Sequence, residues 1–412
     1  MHTISFTKHA DITHFDAQDN ELVVGGKRVS ALAQEADGRP FYVYDRSVMR
    51  TKVELLRKHF PSSVKLHYAI KANSMPEVVE FMSGLVDGLD VASARELGVA
   101  AKTNTPRDEI SFAGPGKQPE ELRAAIEHDV VINCESPTEL KRIDQIAREL
   151  GKKPLVAIRV NPDFQLQNSG MKMSGGPQQF GIDAEVVPEV LESMKDMHLT
   201  FHGFHIFSGS QNLSCNAIIE SQTKTCELAE RLAAFAPAPV RMLNIGGGLG
   251  VPYFPGEKPI DLAPIGEHLH ALADSMKKRL PTAQLMIELG RFFVAESGVY
   301  ICRITDKKIS REHTFLVTNG GLHHHLAASG NFGQILRKNY PVCIATQMNT
   351  DETTKASVVG PLCTPLDLLA SKMDLADCDI DDLVAVFQSG AYGFSASPHY
   401  FLSHPSPREF FV

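Results

Sequence analysis

Between about residues 40 and 290 the chain alternates short β-branched or apolar runs with longer segments of helical spacing, eight times in succession. The runs are VKLHYAI, DGLDVAS, EISFAG, VVINCES, LVAIRVNP, LTFHGFHIFSGS, VRMLNIGGG and QLMIELGR. Stretches such as PEVVEFMSGL, SARELGVAAK, PEELRAAIEH and PTELKRIDQIAREL lie between them, with apolar residues spaced as on one helix face. Eight strand–helix units over about 250 residues predict a (β/α)8 barrel. Each run starts apolar and ends in residues that can do chemistry. Lys71 closes the first, Asp90 and Ser93 the second, and Gly114-Pro115-Gly116 the third. Glu135 closes the fourth, Arg159 and Asn161 the fifth, and His205 and Ser210 the sixth. Gly246, Gly247 and Gly248 close the seventh, and Glu288, Gly290 and Arg291 the eighth. Barrel enzymes build their sites at the C-terminal ends of the strands, so eight such endings in register predict a site there.

Beyond about residue 292 the pattern changes. YICRITDKKI, HTFLVTNGG, KASVVGPLC and DLVAVFQSGAY are strand-like runs separated by turns, which predicts a mostly antiparallel β-domain. The expected organisation is residues 1–40 as strands joining that domain, 41–292 as the barrel, and 293–412 as the C-terminal β-domain. A chain of 412 residues has the length for a large barrel and a second domain.

Composition narrows the function. Lys plus Arg total 41 against 49 Asp plus Glu, a net charge of −8 without basic runs, which argues against binding nucleic acid or an anionic membrane. No segment reaches the ~18 consecutive apolar residues of a membrane span. The N-terminus lacks the basic start and apolar run of a secretory signal. The seven cysteines are scattered and form no C-x-x-C pair, so reduced thiols in a cytoplasmic protein are expected rather than disulfides or a zinc site.

Some of these residues have a specific use. A lysine desolvated at a strand end, as Lys71 is expected to be, favours the neutral amine that attacks an aldehyde; it can also be a plain surface lysine. Gly246–Gly248 would let backbone N–H groups approach a phosphate, at a place where barrels bind phosphate; the triplet can also be a flexible turn. It is not a dinucleotide motif, because the G-x-G-x-x-G spacing is absent. Glu288 and Arg291 would suit a cofactor's ring and its surroundings, or a strand-end salt bridge. At the sixth run, a flat side chain from His205 or Phe207 could stack on a ring while Ser210 reaches a phosphate; either ring could equally be core. His323-His324-His325 reads poorly as a metal site, because consecutive strand residues face opposite ways and no matching carboxylate or cysteine accompanies them.

Taken in order and at their spacing, FYVYD, HYAIKAN, DVASARELG, FAGPGK, RVNP, GFHIFSGSQ, NIGGGLG, ELGR, GPLCTPLD and SGAYGFSASPHYF resemble the fold-type III pyridoxal-phosphate decarboxylases, the family of diaminopimelate, ornithine and arginine decarboxylases. The resemblance runs from roughly residue 40 to the C-terminal segment. It implies an alanine-racemase-like barrel plus β-domain, and pyridoxal 5'-phosphate held covalently by Lys71. Asp90 and Glu96 would support the site near that lysine. Ser210, Gly246, Gly247, Gly248, Gly290 and Arg291 would hold the phosphate or its surroundings, Glu288 would pair with the pyridine nitrogen, and Tyr392 would contact the cofactor. Cys363 would reach the partner subunit's site in a homodimer and manage protonation of the product. Loss of an amino acid's α-carboxylate is the implied reaction, with no metal.

Departures from the family bear on substrate. Diaminopimelate and ornithine enzymes carry an acid directly after the site cysteine, suited to a far ammonium; here it is Thr364. Their M-R-P segment is replaced by GGLHHHLAASGNFG, the proline of E-P-G-R by Leu289, and the residue three before Ser210 is Phe207 rather than the usual ring-stacking histidine. LCTP, GGLHHH, MSGGPQQFG and FLSHPSP are similar to the branch from specialised biosynthetic pathways. That branch holds the butirosin glutamyl–carrier-protein, citryl-amino-acid siderophore and exosortase-associated decarboxylases. The resemblance implies a substrate whose far end is acylated or tethered, with an acyl-carrier protein as a candidate partner and Arg159, His324 and Thr364 as candidate substrate contacts. The alternatives are a diaminopimelate decarboxylase with a rewired pocket, a fold-type III racemase, against which Glu288 argues, and a non-catalytic regulator, against which Lys71, Glu288 and Cys363 argue.

Overall fold

The computed structural model describes residue 4 and residues 8–164, 171–172 and 175–412. Met173 and Ser174 of the MSGGPQQFG segment lie outside the described residues. The chain forms two compact units: residues 52–250 with 260–290, and residues 1–51 with 251–259 and 291–412.

The first unit is a closed barrel of eight parallel strands. These are β1 (Lys65–Ala69), β2 (Gly88–Val91), β3 (Ile110–Phe112), β4 (Val131–Cys134), β5 (Leu155–Asn161), β6 (Thr200–His205), β7 (Met242–Gly247) and β8 (Gln284–Leu289). They pair in chain order, β8 returns to β1, and β4 pairs β5 to complete the ring. Val131, Ala157, Met242 and Met286 meet as a buried apolar cluster. The strands read as nearly continuous apolar runs because both faces are covered. Some polar strand endings serve local geometry. Ser93 and Ser136 follow β2 and β4 and cap the helices Ala94–Ala100 and Pro137–Leu150, accepting from Glu96 N and Glu139 N. Lys117, with 1% of its side chain exposed, pairs with Glu139 at 2.7 Å and donates to two backbone carbonyls.

The second unit centres on the long strand Gly298–Ser310, which pairs antiparallel with His313–Thr318, Leu383–Val386 and Phe41–Tyr44. Thr353–Val359 and Leu368–Ala376 extend the sheet beyond His313–Thr318, and Arg408–Phe411 lies beside Phe41–Tyr44. Most pairings are antiparallel, as expected. Ile12, Phe15, Leu22, Val24 and Leu32 from the N-terminal segment join Val299, Ile301 and Phe387 in one buried cluster. His323-His324-His325 lies in a turn, not on a strand, so the alternating-face argument does not apply to it. All three rings are buried.

Candidate active site

The end of β1 turns into a single 3-10 turn, Ile70–Ala72, which carries Lys71 at the barrel's C-terminal face. Its Nζ lies 3.3 Å from Glu288 Oε1 on β8, and the Phe207 ring centroid is 5.9 Å away. The Lys71 side chain is 45% exposed, so the expected desolvation is modest; its environment is set by the carboxylate. Glu288 is buried, and its other oxygen meets His205 Nε2 at 3.1 Å. Burial alone would raise the Glu288 pKa, but the Lys71 ammonium, the His205 hydrogen bond and Arg159 outweigh it and hold the carboxyl well below the usual range. With Glu288 ionised, the imidazole must donate to it. His205 is thus committed to Glu288, and Phe207 is the ring beside Lys71.

Asp90, buried on β2, accepts from Ser111 Oγ at 2.5 Å, and Asn133 Nδ2 donates to that hydroxyl at 3.1 Å. Glu96 Oε2 accepts from Ala92 N at 2.7 Å; burial raises its pKa while that bond and Lys71 pull the other way. Arg159 is buried, with Nη1 2.6 Å from Glu135 Oε1 and its guanidinium 4.9 Å from the Phe180 ring centre. Glu135 also accepts from Gly114 N and Gly181 N. Arg159 is therefore tied to a second buried carboxylate.

A hollow at the ends of β6 and β7 is lined by Ser208, Gly209, Asn212, Gln222, Gly247 and Gly248. Gly247 is required by close approach: a Cβ there would sit 2.2 Å from the Glu288 carbonyl oxygen. Gly248, at φ +75°, would put one 2.5 Å from the Gly209 carbonyl. Gln222 Oε1 in this lining, and Asn244 Nδ2 on the adjoining β7, are buried and make no hydrogen bond among the described residues. Such orphaned polar atoms ask for a polar partner. Ser210, half-buried, sits on a two-residue strand at the same loop. A small, polar, glycine-lined hollow beside a lysine and an ionised carboxylate fits a phosphate-bearing pyridine aldehyde.

In the other unit, Arg291 donates to Tyr253 Oη at 3.0 Å and lies 4.7 Å from the Tyr392 ring centre. Burial opposes its charge, yet Tyr253, Tyr392 and Tyr340 raise its pKa further. Tyr392 adopts φ +56°. Cys363 is exposed in the turn between Thr353–Val359 and Leu368–Ala376, beside Thr364. His324 is buried, with Nε2 2.9 Å from Pro405 O and Nδ1 3.1 Å from Tyr300 Oη. Burial lowers its pKa to about 3, and both its nitrogens are engaged within its own unit, so it supports the turn. Sequence reading marked Glu135 as a strand ending but missed His67, Asn244 and Gln222; His67 lies within the HYAIKAN motif, whereas nothing local marks the amides.

A closed parallel barrel with a lysine, an ionised carboxylate and a small polar hollow at its C-terminal face has the parts that an enzyme of pyridoxal type needs. Residues 46–295 match the model of the pyridoxal binding domain of pyridoxal-dependent decarboxylases, and the chain belongs to that family. It is a pyridoxal-phosphate-dependent carboxy-lyase. It is 35% identical over 379 residues to L-glutamyl-[BtrI acyl-carrier protein] decarboxylase of Niallia circulans, covering 90% of this chain and 88% of that protein. It is 32% identical to 2-[(L-alanin-3-ylcarbamoyl)methyl]-2-hydroxybutanedioate decarboxylase of Staphylococcus aureus, covering 89% and 92%. Diaminopimelate decarboxylase of Aquifex aeolicus is also 32% identical, covering 94% and 90%. The solved diaminopimelate decarboxylase of Helicobacter pylori with L-lysine superposes with a TM-score of 0.81 at 26% identity, covering 93% and 94%. No helix among the described residues is long and apolar enough to cross a membrane.

Proposed function

We propose that this enzyme decarboxylates an amino acid whose far end is acylated or carrier-tethered, rather than a free diamino acid. The observation that carries this reading is the turn with Cys363. It offers no free carboxylate to a distant ammonium: Thr364 is uncharged, and Asp367 is buried, accepting from Leu322 N at 2.6 Å and Leu362 N at 2.8 Å. The relatives from Niallia circulans and Staphylococcus aureus, whose names describe carrier-bound and citryl-like substrates, support it. Diaminopimelate is the second reading, favoured by the Aquifex aeolicus relative at 32% identity. A CO2-release screen across carrier-bound glutamyl groups, citryl-linked amino acids, meso-diaminopimelate, lysine and ornithine tests this. Turnover confined to the first two classes is expected, and rapid release from a free diamino acid overturns it.

In this reading Lys71 binds the cofactor's aldehyde, and Phe207 supplies the flat surface beside it. Bound pyridoxal phosphate supplies an electron sink for the pair left behind when CO2 departs. Glu288, held ionised, would keep a proton on the ring nitrogen of the bound cofactor, and His205 fixes the carboxylate's orientation. The hollow lined by Ser208, Gly209, Gly247 and Gly248, with Gly246 and Ser210 adjoining it in the chain, would receive the phosphate. Asp90 and Glu96 steady the lysine's surroundings, and Arg159 is a candidate anchor for the substrate carboxylate. Cys363 is the proton donor to the product, acting in the partner subunit of a homodimer in the cytoplasm.

A further inference from the structure

Below the site, the barrel interior holds an ionic cluster of which the reaction above uses only Asp90. His67 on β1 is 1% exposed. Its Nδ1 lies 3.5 Å from Asp90 Oδ1 on β2, and its Nε2 lies 3.3 Å from Glu109 Oε2, just before β3. Room for the ring is built in: a Cβ on Gly88 of β2 would fall 2.3 Å from His67 Cε1, so Gly88 must be glycine. Glu109 also pairs with Lys65 of β1, and with Asp108 it acts on His202 of β6, where Arg241, ahead of β7, and Lys65 act in the opposite sense. Asp90 Oδ1 takes the Ser111 hydroxyl, and its Oδ2 is buried without a hydrogen bond among the described residues. Asp90 pairs in register with Ala69, two residues before Lys71.

We propose that His67 is a positioning residue for the decarboxylation: a buried cation that pins Asp90 in place next to the strand carrying Lys71. The geometry supports it: the His67 ring lies between two carboxylates, Asp90 at 3.5 Å and Glu109 at 3.3 Å, and Lys65 pairs with Glu109 but not with Asp90. Burial disfavours the imidazolium, but Asp90 and Glu109 outweigh burial and push its pKa up to about 9. That cation is present throughout the neutral range and is lost as pH rises through about 9. A neutral ring would free Asp90 to turn toward whichever cation is nearest.

The proposal rests on the decarboxylase reading, and its test separates the two. Imidazole signals are followed by NMR against pH in the protein without cofactor, for the wild type and for His67→Gln. One signal titrating near 9 and absent from the variant is expected. In the loaded enzyme, His67→Gln should lower kcat about tenfold, the size of one lost charge-assisted contact, with KM little changed and the pH dependence of the bound cofactor's absorbance displaced. Glu109→Gln, which perturbs His67 from the far end of the barrel, should give a smaller change of the same sign and serves if His67→Gln does not fold. A His67 signal titrating at or below the ordinary histidine range overturns the proposal. So does loss of thermal stability alone, with kcat and the absorbance profile unchanged in both variants. If no variant, wild type included, releases CO2, the decarboxylase reading fails while the NMR result still judges His67.

Discussion

Replacing Glu288 with Gln removes an anion on which the Lys71 ammonium, the His205 ring and Arg159 all act. At 3.3 Å the gross attraction between Lys71 and Glu288 is about 5 kcal/mol at an effective permittivity near 20. Lys71 is 45% exposed, so solvent takes back most of that when the carboxylate is lost. The His205 contact is different: its side chain and that of Glu288 are 2% and 4% exposed, and water does not replace it. A bound ring nitrogen would face the same dry carboxylate. A hydrogen bond to a charged group contributes about 1.5–3 kcal/mol, so the cofactor should bind the variant about ten- to a hundredfold more weakly. The assay is equilibrium titration of cofactor-free protein with pyridoxal phosphate, followed by visible absorbance. Because the folded Glu288 pKa is depressed, its contribution is present above the ordinary glutamate range and is lost only in strong acid, so the deficit should be flat across neutral pH. An affinity within about threefold of wild type, a margin of under 1 kcal/mol, would refute the assignment of Glu288 to the ring nitrogen.

Two further substitutions test the supports of the site. Gly247→Ala forces a methyl group to 2.2 Å from the Glu288 carbonyl and should cost about 1–3 kcal/mol in urea unfolding, with weaker cofactor binding as β7 and β8 part; unchanged values for both would show that the two strands can separate freely. Lys117→Met strands the buried Glu139 and should cost about 3–5 kcal/mol. Burial already raises the Glu139 pKa, so that deficit should shrink in mildly acidic buffer as the carboxyl takes up a proton, and a deficit independent of pH contradicts the pairing.

The barrel strands were legible because each is a short, doubly covered apolar run with a turn residue after it, as in LHYA before Lys71 and LMIEL before Arg291. Leu368–Ala376 was not read, because LLASKMDLA mixes apolar residues with Lys372 and Asp374 and pairs through irregular register. The pairing of His205 with Glu288 spans 83 residues and leaves no local trace, so only the structure decides between His205 and Phe207 beside Lys71. The same holds for residues 251–259, which lie between the seventh and eighth barrel strands in sequence and pack within the β-rich unit. The buried turn of His323-His324-His325 was misread as a strand because three histidines carry no periodicity.

The account turns on the amine of Lys71 joining the cofactor. Borohydride reduction of the coloured protein, followed by peptide mass mapping, should find a pyridoxyl-phosphate adduct on the peptide carrying HYAIKANS, and Lys71→Ala should show none. An adduct on another lysine, or a protein that stays colourless with pyridoxal phosphate in excess, would contradict it.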